Sequence, residues 1–213
     1  MAGMIVLAMV IGYLLGSIPF AYIVARLVKG VDIRKVGGGN MGTVNTMREI
    51  GTLPGFGVFF ADMAKGALAV LIAQWLGLPL YWVFAVGLAA VAGHNWPVWL
   101  KFRGGQGLAT TMGVLAVFSP IPFAICFGVM LVAVVITSNV RLSSVVAFVF
   151  LPPLIWAFGG ELSVILYSIA LPVFCLLKMI PRLRSDVAKV GGEKKGLVFD
   201  REYTPWQTKK KSD

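Results

Sequence analysis

Charge is scarce in this chain. Only 13% of its 213 residues are charged, nine of them Asp or Glu, and there is a single histidine. A water-soluble domain of this length carries roughly twice that charged fraction, so a soluble domain is excluded. One histidine and no acidic cluster leave little from which to build a metal site, and neither metal nor other cofactor is expected. The two cysteines, Cys126 and Cys175, both lie inside apolar runs, which reads as packing rather than a disulfide framework. No small-residue cleavage site interrupts the first apolar run, which continues past Arg26 and is therefore read as a retained span. The Gly-x-Gly patterns follow no strand-like segment, so neither a dinucleotide fold nor a Walker loop is implied.

What the chain does have is apolar length. Hydrophobic residues make up 58% of it, in runs at roughly 4–28, 54–76, 80–100, 108–119, 121–137, 143–158 and 162–177. The first three are long enough for a ~30 Å hydrocarbon core, while the last four are short and need local thinning or shielding by neighbours. A single helix kinked at Ser119-Pro120-Ile121-Pro122 is the alternative to two short spans there. Charge decides between them. Gly77-Leu78-Pro79, Ser119-Pro120 and Gly159-Gly160-Glu161 hold no Lys or Arg, whereas the opposite connections hold Lys29, Arg34, Lys35, Arg48, Lys101, Arg103, Arg141 and Lys178. Keeping Arg103 and Arg141 on one side requires an even number of crossings between them, hence two spans.

The expectation is an all-α integral membrane protein with seven transmembrane helices, N-terminus outside and C-terminus cytoplasmic. Residues 1–184 form one membrane domain, and 185–213 form a basic cytoplasmic tail without fixed structure. The formal charge of +10 is spread along span flanks and this tail. That is the pattern of positive-inside topology and attraction to anionic lipid, so lipid and not nucleic acid is the expected contact.

Two glycine-rich polar loops stand out against this background, VGGGNMGTVN (36–45) and KFRGGQG (101–107), and both fall on the cytoplasmic side. Glycines leave backbone N–H groups uncovered, and nearby Arg, Lys and Asn add donors, so the pair reads as an anion cradle, with phosphate the favoured anion. In the first loop Gly37, Gly39, Asn40, Asn45 and Arg48 are the candidates, with a plain connector as the alternative. In the second, Arg103 with Gly104, Gly105 and Gly107 follows His94, and Trp96 and Trp99 read as interfacial anchors. His94 is either a structural hydrogen bonder or a base. Asp62 and Lys65 stand three apart on one face of the second span. They form either a self-neutralising pair or a support for the loop bases. A third cytoplasmic connection, SNVRLSS (138–144), adds Arg141 and Ser144, or merely a helix cap with a positive-inside arginine.

Taken together, these segments resemble the bacterial acyl-phosphate:glycerol-3-phosphate acyltransferases, small seven-span inner-membrane enzymes. The likeness runs from LLGSIPF (14–20) through Asp32, Arg34, Gly37, Gly39, Asn40, Gly42, Asn45 and Arg48. It continues with Asp62, Lys65 and Gly66 as D-x-x-K-G and with GHNWPVWLKFRGGQG (93–107). The resemblance implies attack of the 1-hydroxyl of glycerol-3-phosphate on a fatty acyl phosphate, giving lysophosphatidate and inorganic phosphate without cofactor, in the bacterial cytoplasmic membrane. For such a reaction Arg48, Arg103, Arg141 and Ser144 are the candidate catalytic residues. Gly37, Gly39, Asn40, Asn45, Lys65, Asp62, His94, Gly104, Gly105 and Gly107 then bind substrate or shape its site.

This chain departs from the family pattern at several positions. Gly38 stands for a serine, Val44 for a threonine, Gln106 for a lysine, Arg141 for a serine, and Leu176 and Met179 for a histidine and an asparagine. Either Arg141 replaces the missing lysine cation in a rebuilt site, or activity has changed or been lost. A carrier of a phosphorylated metabolite and a non-catalytic paralogue in lipid synthesis are the competing readings. The carrier requires polar groups on both membrane faces, and the outer connections are nearly bare of them.

Overall fold

The computed structural model describes residues 1–137 and 139–189, apart from the side chains of 141 and 181–189. Every regular element among the described residues is helical. The α-helices are α1 (Ala2–Ser17), α2 (Phe20–Lys29), α3 (Thr43–Glu49), α4 (Thr52–Trp75), α5 (Leu80–Asn95), α6 (Leu108–Phe118), α7 (Pro120–Thr137), α8 (Val140–Ala157) and α9 (Leu162–Lys189). Single 3-10 turns occupy Ile33–Lys35 and Val98–Leu100. By length and composition five stretches can cross a membrane: Ala2–Lys29, Thr52–Trp75, Leu80–Leu100, Pro120–Thr137 and Leu162–Ile180. The two remaining apolar helices, α6 and the body of α8, are shorter.

Three expectations need correction. The first apolar run is not one helix but two. Pro19 has no N–H to continue the ladder and pushes Ile18 into extended backbone (φ −61°, ψ 117°), so α1 stops and α2 restarts. The stretch expected as a loop up to Arg48 closes with a short helix, α3, which packs on α4. Its residues Thr43 to Glu49 carry no glycine or proline, which lets the turn propagate. Finally, α9 passes the expected boundary at 184 and reaches Lys189, because neither Gly nor Pro occurs between 182 and 189. The rest of the expected tail, 190–213, lies outside the described residues. The break at Ser119 (φ −146°, ψ 70°) separates α6 from α7, as two elements rather than one kinked helix.

Between apolar helices in lipid, close backbone approach replaces the hydrophobic effect as the source of association. α1 lies against α5, and α4 against α6. At the first contact a Cβ on Gly16 would run into the Ala90 carbonyl, and one on Gly93 into that of Tyr13. At the second, a Cβ on Gly113 would meet the Met63 carbonyl, and one on Gly66 that of Thr110. Around these seams Val70, Val86, Val91, Val114 and Leu115 form the fully buried centre, joined by Leu151 and Leu171 from α8 and α9. A smaller cluster, Ala25, Ile33, Met41, Ile50, Val58 and Leu100, pins the first polar connection onto the bundle. Large apolar side chains such as Val132, Ile136, Trp156 and Leu162 point outward, as a lipid-facing surface allows.

Gly113→Val should therefore lower stability by about 3 kcal/mol or more, since a backbone carbonyl cannot move aside as a side chain can. Gly128→Val, with nothing within 4 Å of its Cβ, is the control and should change little. The buried thiols of Cys126 and Cys175 provide the readout, by their exposure to a thiol-reactive dye on heating in detergent. Equal melting of the two variants would contradict the close α4–α6 approach.

Candidate active site

The first connection is folded by its own polar groups. α2 ends in left-handed Gly30, and Asp32 then caps the 3-10 turn by accepting from the Arg34 backbone N–H at 3.0 Å. The Arg34 guanidinium also donates to both Asp32 carboxylate oxygens, at 3.0 and 2.7 Å. That pairing holds the Asp32 carboxyl down at about 2, and Asp32 in turn raises Arg34. A lowered carboxylate stabilises the fold above its unfolded pKa, and this stabilisation is lost as pH falls toward 2.

Asn45, in the first turn of α3, staples the glycine run. Its Oδ1 accepts from Gly38 N–H at 2.7 Å, and its Nδ2 donates to the carbonyls of Asn40 (2.9 Å), Ile33 (3.1 Å) and Val36 (3.3 Å). Gly37 has φ +55°, and any side chain there would strike Asn45 and Glu49, so only glycine fits this turn. Asn40 accepts from Gly42 N–H at 2.7 Å, turning the chain into α3.

Beneath this connection lies a buried ionic group. Asp62 Oδ1 is 2.7 Å from Lys65 Nζ and 3.5 Å from His94 Nδ1, and all three side chains are under 8% exposed. Lys65 also donates at 2.9 Å to the Ile18 carbonyl, which the helix break at Pro19 takes out of the helical ladder and which accepts as well from Phe20 N–H at 3.2 Å. Sequence spacing could pair Lys65 with Asp62. It could not reveal that the lysine caps the interrupted first span.

The second connection folds back over the end of α5. Lys101 and Phe102 both take left-handed backbone (φ 53° and 59°), a costly conformation for side chains of their size. Phe102 N–H donates to Pro97 O at 3.0 Å and Gly105 N–H to His94 O at 3.0 Å. Gly105 lies against the Nε2 edge of the His94 ring, where a Cβ would overlap Nε2. The third connection enters α8 through Asn139, whose Oδ1 accepts from Leu142 N–H at 3.1 Å. The Ser144 hydroxyl donates to Val140 O at 2.7 Å.

All three connections border one crevice. Its polar rim is Asn40, Thr43, Asn45, Arg48, Asp62, His94, Gln106 and Ser144, and its apolar wall is Val44, Phe59, Leu108, Ala109, Met112 and Val140, with the backbone of Gly38, Gly42 and Gly107 between them. Such a crevice suits a molecule with an anionic head and a hydrocarbon chain. Of the residues expected to act together, Asn40, Arg48, Asp62, His94, Gly107 and Ser144 meet here. Asn45 reaches the crevice, but its amide is occupied by the loop it folds.

Others do not line it. Arg103 is exposed to one side, where the Lys101-Phe102 turn directs the chain. Lys65 lies below the crevice, and Gly37, Gly39, Gly104 and Gly105 shape backbone around it. The Arg141 side chain lies outside the described residues, although its backbone forms part of the first turn of α8. Sequence reasoning missed the wall residues Phe59 and Met112, which looked like any other apolar span positions. It also missed Asn95, which is fully buried and whose side-chain amide has no hydrogen-bond partner. An asparagine inside an apolar run was the available signal. No group of three or more His, Cys, Asp or Glu side chains that could hold a metal ion occurs among the described residues.

Comparison with known proteins gives one consistent answer. A family model described as glycerol-3-phosphate acyltransferase matches residues 6–190. The chain is similar to glycerol-3-phosphate acyltransferase 1 of Dehalococcoides mccartyi, with 44% identity over 205 residues, covering 93% of this chain and 98% of that one. It is also similar to the glycerol-3-phosphate acyltransferase of Parasynechococcus marenigrum, with 42% identity over 185 residues, covering 86% and 85% of the two chains. Among solved structures it resembles PlsY, an integral membrane glycerol 3-phosphate acyltransferase, in its glycerol 3-phosphate form. The TM-score is 0.78 and the identity 33%, with 87% of this chain and 92% of that one covered. The lysophosphatidic acid form of the same protein aligns with a TM-score of 0.76.

Proposed function

The chain belongs to the glycerol-3-phosphate acyltransferase family, and from that premise we propose that the crevice between its three polar connections is the active site, with acyl phosphate as the donor. The protein is a membrane-bound acyltransferase of phospholipid synthesis. In our reading it crosses the bacterial cytoplasmic membrane seven times, with the crevice opening at the cytoplasmic face, where the basic connections lie.

The 1-hydroxyl oxygen of glycerol-3-phosphate attacks the acyl carbonyl carbon. The carbon–oxygen bond to phosphate breaks, and the departing phosphate carries away the hydroxyl proton, leaving lysophosphatidate. Acyl phosphate is a mixed anhydride and already activated, so alignment and charge stabilisation supply the catalysis. Arg48 and the Asn40 side-chain amide hold phosphate. Gln106 and Ser144 offer neutral contacts on the far rim. Arg141, in the first turn of α8, contributes the second cation that Gln106 does not. Phe59 and Met112 receive the first carbons of the acyl chain. Asn45 keeps the glycine run in its cradle shape, and Asp62 with Lys65 anchors the floor. Arg103 has no part in this site.

The observation that carries this reading is the meeting of a donor-rich rim and an apolar wall in one crevice. Purified protein incubated with palmitoyl phosphate and glycerol-3-phosphate should release lysophosphatidate and inorganic phosphate in equal amounts, by mass spectrometry and phosphate assay. Product formed from a palmitoyl thioester but not from palmitoyl phosphate would overturn the donor assignment.

A further inference from the structure

Lys178 is the one Lys, Arg, Asp or Glu in the apolar stretch Leu162–Ile180 of α9, where a charge is costly and needs a partner. Its ammonium donates to the Asn95 carbonyl at 3.3 Å and lies 4.2 Å from the centre of the Trp96 ring. Asn95 is the last residue of α5, so its carbonyl is one of those that a helix end leaves unpaired, at the negative pole of the helix dipole. An ammonium over an indole face is the strongest of the common cation–π contacts.

The same row continues on both sides. Phe174, one turn before Lys178 on α9, packs edge-on against Trp96 at 5.8 Å, and the Trp96 carbonyl accepts from the Tyr13 hydroxyl at 2.7 Å. α9, the end of α5 and α1 are thus tied at one level. The loop 101–107 is folded onto that same end. Gly105 donates to His94 O, and a Cβ on Gly104 would crowd both the His94 and Asn95 carbonyls. Two members of this loop, Gln106 and Gly107, border the crevice.

We propose that Lys178 is a positioning residue for substrate binding: by clamping Asn95 and Trp96 it fixes the end of α5, and through it the loop that brings Gln106 and Gly107 to the crevice. This rests on the acyltransferase reading of the crevice. Lys178 itself touches no substrate.

The test compares Lys178→Met, Lys178→Arg and Trp96→Leu in the full-length protein in lipid nanodiscs. Lys178→Met keeps the length of the side chain but removes its charge. It should raise the KM for glycerol-3-phosphate roughly tenfold with little change in kcat, the loss expected of binding geometry rather than chemistry. Trp96→Leu should do the same, and adding Lys178→Met to it should cost no more. Lys178→Arg should restore most of the affinity. Wild-type KM in Lys178→Met, or additive losses in the double variant, would overturn the proposal. So would failure of arginine to rescue. A second readout is independent of activity: tryptophan emission should change in Lys178→Met, and that change should vanish in a Trp96→Phe background. If wild-type protein made no lysophosphatidate while this emission change appeared, the acyltransferase reading would fail and the clamp would stand.

Discussion

Asp62→Asn should destabilise the protein by about 3–5 kcal/mol, the typical result of stripping one partner from a buried ion pair. Asp62 and Lys65 are 4% and 3% exposed, so solvent cannot take over the charge left behind. The amide would leave a buried ammonium facing a neutral dipole, with only the Ile18 carbonyl at 2.9 Å to satisfy it. The double variant Asp62→Asn/Lys65→Met should recover much of that loss, because it removes the orphaned charge as well. It should not recover all of it, since the Ile18 carbonyl then keeps only the Phe20 N–H of its two donors. Thermal unfolding followed by exposure of Cys126 and Cys175 reads both effects. A single variant as stable as wild type would mean that the pair carries no structural load. A double variant worse than the sum would mean that each residue has a separate essential partner.

Arg48→Ala should lower kcat/KM for glycerol-3-phosphate by about 10- to 150-fold, equivalent to the 1.5–3 kcal/mol of a charge-assisted hydrogen bond. Arg48 sits in the last turn of α3, and that short helix is already held by Asn45 and by packing on α4. The melting temperature should therefore move much less than the activity. Arg103→Ala, altering an exposed side chain away from the crevice, should leave kcat/KM within a factor of about two, as surface substitutions do. Equal effects of the two replacements would show that net charge near the membrane, and not the crevice, governs substrate capture.

The sequence was most legible where one local property decides the outcome. The length of apolar runs marked the ends of α4 and α7 to within a few residues, and the Ser119-Pro120 break fell where proline and charge parity put it. It was less legible where a distant part of the chain takes over. Asn45 looked like a substrate donor because an asparagine beside glycines offers an amide. Its donors instead go to three carbonyls up to twelve residues away. Arg103 looked equivalent to Arg48 by charge and loop position. The left-handed pair Lys101-Phe102, which directs it outward, has no glycine to announce it. Lys65 carried the right partner but an unforeseen second task, because the Ile18 carbonyl leaves the helical ladder only once Pro19 has broken the first helix. Lys178 passed as an ordinary positive-inside residue until α9 was seen against Trp96.

The central claim is that three polar connections, far apart in sequence, build one anion site at the membrane face. A crystal or cryo-EM structure of the protein bound to glycerol-3-phosphate tests it most directly. The phosphate density should lie within hydrogen-bond reach, about 3 Å, of the Arg48 guanidinium and the Asn40 side-chain amide. Phosphate density elsewhere on the protein, with this crevice empty, would contradict it.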